Sequence, residues 1–291
     1  MQVTTIASEE SGDEGWIDAH THVWTSDIKQ YPLAKSFSAA SMQPASFTPE
    51  ELFLHTKPAG VQRIVLIQMS YYGFDNAYML DMMAKYPGTF GGVAIVNHDD
   101  PRVAETMKDL ATKGVRGFRL YPPEMGRRSW LEDAGMARLW TAAGEQDLAV
   151  CLLINPTDLS LTAKMCERFP DTRVVVDHFA RIGVSGRIDD EQIAQLCSLA
   201  RFRQTYVKVS AFYALGKKSP PYDDLIPMIR RLYDAFGPER LMWASDNPYQ
   251  VQPPHRYIDS LSLVRDRLSF LSASERRHLL RDTAKRVFFA A

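Results

Sequence analysis

Trp16-Ile17-Asp18-Ala19-His20-Thr21-His22 is a short β-rich run that ends in His-x-His. Residues two apart on a strand share a face, so the two imidazoles project together from the strand's end. Seven further runs of the same kind follow along the chain: Arg63–Gln68, Gly91–Val96, Val115–Tyr121, Leu148–Ile154, Arg173–His178, Tyr206–Ser210 and Leu241–Asp246. Several are near-continuously apolar, as Ile64-Val65-Leu66-Ile67 and Val174-Val175-Val176 show, which suits strands buried on both faces.

Between these runs lie stretches of helical period. The clearest is Leu225, Met228, Ile229, Leu232, Tyr233 and Phe236, spaced by threes and fours. Strand and helix alternating eight times fit either an open doubly wound sheet or a closed barrel. The polar residues favour the barrel. His20, His22, Arg119, Asn155, His178, Lys208 and Asp246 all fall toward the C-terminal ends of their runs, and in a (β/α)8 TIM barrel those ends meet at one mouth. No glycine-rich phosphate loop follows the first run, which weighs against a dinucleotide fold. The chain's 291 residues suit one α/β domain of this kind, which needs roughly 250. A flexible N-terminal segment over 1–15 and a barrel over 16–291 are expected, with Val23–Gln62 after strand 1 forming a lid-like segment over the mouth.

Composition excludes several function classes. The 34 basic and 35 acidic residues nearly cancel, and no basic run is long enough to track a phosphate backbone, so no nucleic-acid partner is expected. The N-terminus lacks the apolar stretch of a secretory signal, and no run approaches the ~20 apolar residues of a membrane span. A cytoplasmic protein with no membrane partner is expected; a homo-oligomer is compatible with the sequence. Cys151, Cys166 and Cys197 have no metal-like or redox-like spacing and read as reduced core residues.

Paired histidines at a strand end hold a divalent metal or bind a substrate oxygen. An aspartate at the same mouth ligates a metal or takes a proton from water. Asp18-Ala19-His20-Thr21-His22, Val176-Asp177-His178, Tyr206-Val207-Lys208-Val209-Ser210 and Trp243-Ala244-Ser245-Asp246-Asn247-Pro248 stand in that order along the chain. Together they resemble the amidohydrolase-related family of the amidohydrolase superfamily, in its sugar-lactonase and 2-pyrone-4,6-dicarboxylate lactonase-like branch. The resemblance runs from about Trp16 to Phe289, including Thr283-Ala284-Lys285-Arg286-Val287-Phe288.

That resemblance implies a hydrolase that opens a small carboxylated or polyhydroxylated lactone, with Asp246 as general base for water and the histidines positioning the substrate or holding a metal. His178 and Arg119, the latter in phase to point inward with Gly117 and Tyr121, are expected to polarise the ring carbonyl. It implies His20, His22 and Asp246 as ligands of one divalent metal, zinc before others, or the same site working without metal. The chain departs from the pattern twice. Asn155 ends the fifth run where many metal-bound relatives place a histidine or a modified lysine, which counts against a binuclear centre. Asp246-Asn247-Pro248 replaces the Asp-Trp-Pro common among lactonases.

The substrate is expected to be a small, anionic molecule, bound by Arg181, Tyr72, Gln68 and Asn155. A guanidinium from Arg119 or Arg181 can clamp a carboxylate or steady an oxyanion. Tyr72 serves equally as an aromatic packing residue, and Lys208 reads as a structural ion-pair partner in preference to a catalytic amine. Three rival functions stand beside the lactonase: a metal-dependent decarboxylase of a small unsaturated or aromatic acid, a lactone isomerase, and a non-catalytic small-acid binder.

Overall fold

The computed structural model describes residues 15–122 and 131–289, so all but the last residue of the expected N-terminal segment lies outside the described residues. Eight strands, β1 (Trp16–Thr21), β2 (Val61–Ile67), β3 (Phe90–Ala94), β4 (Val115–Leu120), β5 (Ala149–Leu152), β6 (Arg173–Val176), β7 (Thr205–Ser210) and β8 (Leu241–Ala244), pair in parallel in sequence order. The ring closes between its first and last members: the Asp246 amide donates to the His20 carbonyl at 2.9 Å and the His22 amide to the Asn247 carbonyl at 2.8 Å. This is the (β/α)8 barrel that the polar strand ends implied.

Among the described residues ten α-helices accompany it, most packed around its outside. They are α1 (Pro49–Thr56), α2 (Ala77–Lys85), α3 (Val103–Thr112), α4 (Ala134–Glu145), α5 (Leu159–Arg168), α6 (Asp190–Ser198), α7 (Ile226–Phe236), α8 (Tyr257–Ser262), α9 (Ala273–Arg277) and α10 (Thr283–Phe288). Strand alternation sorts the apolar side chains into two layers. Ile64, Leu66, Phe118, Val150, Val174, Val207 and Trp243 face outward and pack with helix residues such as Leu139, Trp140 and Leu232. Val65, Val93, Ala149, Val175, Tyr206 and Met242 face inward, where Ala284, Val287 and Phe288 of α10 join them and plug the barrel's lower end. The plug comes so close to β3 that a Cβ on Gly91 would lie 2.9 Å from the Phe288 carbonyl oxygen.

Three expectations are corrected. The segment between β1 and β2 is no lid: none of its residues lines the mouth cavity. Its apolar side chains hold it to the barrel's flank instead. Trp24 is fully buried, bridges to Phe47, and packs its ring at 5.4 Å from Tyr71 and 6.5 Å from Tyr249. The segment therefore backs the pocket wall. Cys197 is only half-buried, its thiol reaching the Arg231 carbonyl, whereas Cys151 and Cys166 are core residues. Tyr72 is buried with its hydroxyl accepting from the Thr25 amide at 3.1 Å and does not line the cavity, so the structure places it in the packing and not at the mouth.

Candidate active site

The two histidines of β1 reach the interior by an irregularity that alternation does not foresee. Ile17 and Ala19 already face inward, so strict alternation would turn His20 and His22 outward. Between Asp18 and Thr21 the register slips: three steps on β1 match the two from Ile64 to Leu66 on β2. The extra residue is a β-bulge, which re-aims the side chains beyond it. Asp18 pins it, accepting from the His20 amide at 3.2 Å, the Ser245 amide at 2.9 Å and the Tyr257 hydroxyl at 2.8 Å. Burial pushes the Asp18 carboxyl up to about 6, against the pull of these donors.

Beyond the bulge the imidazoles converge on Asp246. His22 Nδ1 lies 2.9 Å from the Ile67 carbonyl, an acceptor only, so this nitrogen carries the proton and donates. Its Nε2 then faces His20 Nε2 at 3.3 Å and Asp246 Oδ1 at 3.4 Å. His20 Nε2 is 3.5 Å from the same oxygen, while His178 Nε2 stands 3.8 Å from Asp246 Oδ2. His178 is held from behind by Ser210, 2.8 Å from its Nδ1. The Tyr213 hydroxyl donates to Asp246 Oδ2 at 2.7 Å.

Beneath this cluster runs a second, fully buried one. Asp177 Oδ1 sits 3.0 Å from Lys208 Nζ and 3.4 Å from His20 Nδ1, and its Oδ2 is 3.6 Å from Arg119 Nη1. Neither oxygen receives a well-aligned hydrogen bond, so the hold is one of charge. Lys208 Nζ also lies 3.1 Å from His20 Nδ1, and Arg119 Nη1 lies 3.1 Å from His20 Nε2. The ion-pair reading of Lys208 is what the geometry shows.

The electrostatics follow from these contacts. Burial and the Lys208 charge push His20 well below its ordinary range, and burial lowers His178. Burial works upward on Asp177, but Lys208, His20 and Arg119 outweigh it and hold the carboxyl well below its usual value. For Asp246 burial is likewise outweighed, by His178, His22 and His20, which keep it below the usual carboxylate range. Tyr213 is pushed the other way by burial and by the Asp246 charge, so its phenol stays a donor. The site thus presents an ionised carboxylate facing three imidazoles, with a guanidinium beside it.

Strain sets the upper wall. His178, Phe179, Ala180 and Arg181 all have positive φ, between 51° and 60°, and make one left-handed turn after β6. Such residues cost of order 1 kcal/mol each, and burial of Phe179 and Ala180 offsets this. The turn brings both His178 and Arg181 to the cavity, which measures about 570 Å³, a volume suited to a small molecule. His22, Arg119, Gln68, Asn155 and Asp246 line it too; of the candidates named from sequence, His20 lies buried behind Asp246, 3.5 Å from its Oδ1, and Tyr72 stands away from the cavity. Gln68 donates from its amide nitrogen to the Asp75 carbonyl, which holds the side chain at the cavity. Asp177, Tyr213 and Tyr249 were not singled out from sequence. Asp177 carried a signal, because it stands two residues after inward-facing Val175; the tyrosines lie in irregular segments after β7 and β8, where no periodicity tells where a side chain points.

Comparison with known proteins agrees with the geometry. Residues 17–290 match the amidohydrolase family model, and the chain belongs to that family and is a hydrolase. It is 28% identical over 241 residues to an L-fucono-1,5-lactonase of Burkholderia ambifaria, covering 80% of each chain. To a 2-pyrone-4,6-dicarboxylate hydrolase of Comamonas testosteroni it is 27% identical over 266 residues, 85% of this chain and 81% of that one. The crystal structure of an amidohydrolase from Burkholderia multivorans with bound zinc superposes with a TM-score of 0.80 at 23% identity, over 95% and 99% of the two chains, and shares the fold. Among the described residues no helix is long and apolar enough to cross a membrane.

Proposed function

We propose that the protein hydrolyses a small anionic lactone, with Asp246 as the base that activates water. The observation that carries this is the placing of Asp246: an ionised carboxylate lining the cavity, ringed by His20, His22 and His178 and anchored through one oxygen by Tyr213. Water positioned by Asp246 Oδ1 loses its proton to the carboxylate as its oxygen bonds to the ring carbonyl carbon. Arg119 and His178 face the negative charge that develops on the carbonyl oxygen. When the tetrahedral intermediate collapses, the ring C–O bond breaks and the proton on Asp246 passes to the leaving ring oxygen, giving a hydroxy acid. Arg181, at the rim, and Asn155 and Gln68, within the cavity, bind the rest of the substrate, and the arginine selects for a carboxylate. Relatives of this chain acting on L-fucono-1,5-lactone and on 2-pyrone-4,6-dicarboxylate support the lactone ring as the reacting group.

His20, His22 and Asp246 also bring three ligand atoms within 4.8 Å of one another, and the bond from His22 Nδ1 to the Ile67 carbonyl turns its Nε2 toward the centre, so these residues fit one divalent ion. Bound there, the ion would supply Lewis-acid polarisation of a carbonyl oxygen. Arg119 contends for the same His20 nitrogen, 3.1 Å away, and brings positive charge of its own.

The test is a pH-indicator screen of sugar lactones and carboxylated pyrones and muconolactones, run before and after chelation on protein of known metal content. Lactone opening that Asp246→Asn lowers by about 10²–10⁴-fold is expected. Wild-type rates in Asp246→Asn would overturn the assignment of the base. Release of carbon dioxide, or an isomeric lactone without uptake of water, would replace hydrolysis by decarboxylation or isomerisation.

A further inference from the structure

We propose that Tyr213 is a positioning residue for Asp246, holding the carboxylate in the one rotation that presents Oδ1 to water; this rests on the reading of Asp246 as the base. The backbone at Asp246 is in the left-handed region, φ 66°, which sets the direction of its Cα–Cβ bond from the end of β8. Beyond the staggered choice at χ1, what stays open is rotation of the carboxylate about its terminal bond, a broad torsion with no strong well of its own. The imidazoles do not close it, since their nitrogens stand 3.4 to 3.8 Å from the carboxylate oxygens. The only short side-chain contact described for the carboxylate is the Tyr213 hydroxyl, 2.7 Å from Oδ2.

The phenol is itself held on a rigid mount. After β7 the chain turns through Ala211, φ 57°, into the short helical turn Phe212–Ala214. Phe212 is buried against Phe179 and Tyr222, which sends its neighbour Tyr213 the other way, to the cavity. The Tyr213 ring stacks on Tyr249 with centroids 6.3 Å apart and planes at 28°, and lies 6.1 Å from the His255 ring. His255 is fixed in turn, Nδ1 lying 2.9 Å from the Tyr222 hydroxyl, which also accepts from Gln250 Nε2 at 3.0 Å. Three rings and two hydrogen bonds thus keep one hydroxyl where it can hold the base. With Oδ2 occupied by a donor, Oδ1 is the oxygen left for the proton.

A wall tyrosine without this duty would tolerate loss of its hydroxyl, and Tyr213→Phe keeps the ring and its stacking. The variant is expected to fold with unchanged melting behaviour and to lose about 10–100-fold in kcat, with KM held within about threefold, as loss of an orienting hydrogen bond does. Crystal structures of the wild type and of Tyr213→Phe are expected to differ in the rotation of the Asp246 carboxylate. An unchanged kcat, or a rise in KM alone, overturns the proposal, as does a carboxylate that keeps its rotation. Asp246→Asn assayed alongside separates the two claims. If it is inactive while Tyr213→Phe is not, only the role of Tyr213 falls; if it is fully active, or if no lactone is opened by the wild type, the lactonase reading falls and the crystal comparison alone decides whether Tyr213 sets the carboxylate.

Discussion

Asp177 and Lys208 are both fully buried, in a setting where either charge alone would be expensive. Their 3.0 Å contact is supplemented by His20 and Arg119, which makes the group a network spanning β1, β4, β7 and the end of β6. Removing one partner of such a pair leaves the other uncompensated. Lys208→Met is therefore expected to lose about 3–5 kcal/mol in denaturant unfolding. The double variant Asp177→Asn/Lys208→Met should cost clearly less than the sum of the two single changes, the mark of direct coupling. Additive losses would show that the residues do not act on each other. Lys208 could be read from sequence as an ion-pair partner because a lone lysine between valines needs one; the partner could not, because Asp177 follows β6 while Lys208 lies on β7, and no local pattern specifies how the two strands register.

At the scale of the element, β1 decides whether a site forms at all. The bulge at Asp18–Thr21 turns His20 and His22 inward, and Asp18 supplies the acceptors for two backbone amides that the bulge and β8 leave exposed to the core. Asp18→Ala would strand those amides and the Tyr257 hydroxyl without partners. We expect it to lower stability by about 3 kcal/mol and to lower activity through a displaced His20, with Asp18→Asn milder on both counts because it keeps an acceptor. Unfolding curves and kcat for the pair check this, and equal losses from Ala and Asn would assign the effect to charge and not to hydrogen bonding. The eight strands were legible because each carries a β-rich apolar run, and the helix α7 because its apolar residues recur at 3.6. The bulge was not, since one inserted residue alters which face a side chain takes without altering the composition of the run.

For the whole molecule, barrel closure and its plug are what keep the buried charges dry. Ala284, Val287 and Phe288 fill the lower end of the interior, and Lys208 Nζ lies 5.3 Å over the Phe288 ring. A chain ending before Thr283 would open that end to water and strip contacts from Ile17, Val65, Val93 and Met242. Such a truncation is expected to lose cooperative thermal unfolding by circular dichroism; a sharp transition near that of the full chain would show that the barrel stands without its plug. By itself the sequence determined the fold class, the eight strands and most of the residues at the mouth, because burial on both faces leaves a compositional trace and the polar residues sit at strand ends. Only the tertiary structure decided that the segment after β1 backs a wall instead of closing a lid, that Tyr72 packs while Tyr213 meets Asp246, and that Asp177 underlies the histidines. Those outcomes depend on contacts between residues far apart in the chain, and on left-handed turns and a bulge whose geometry is selected by packing and not by local propensity.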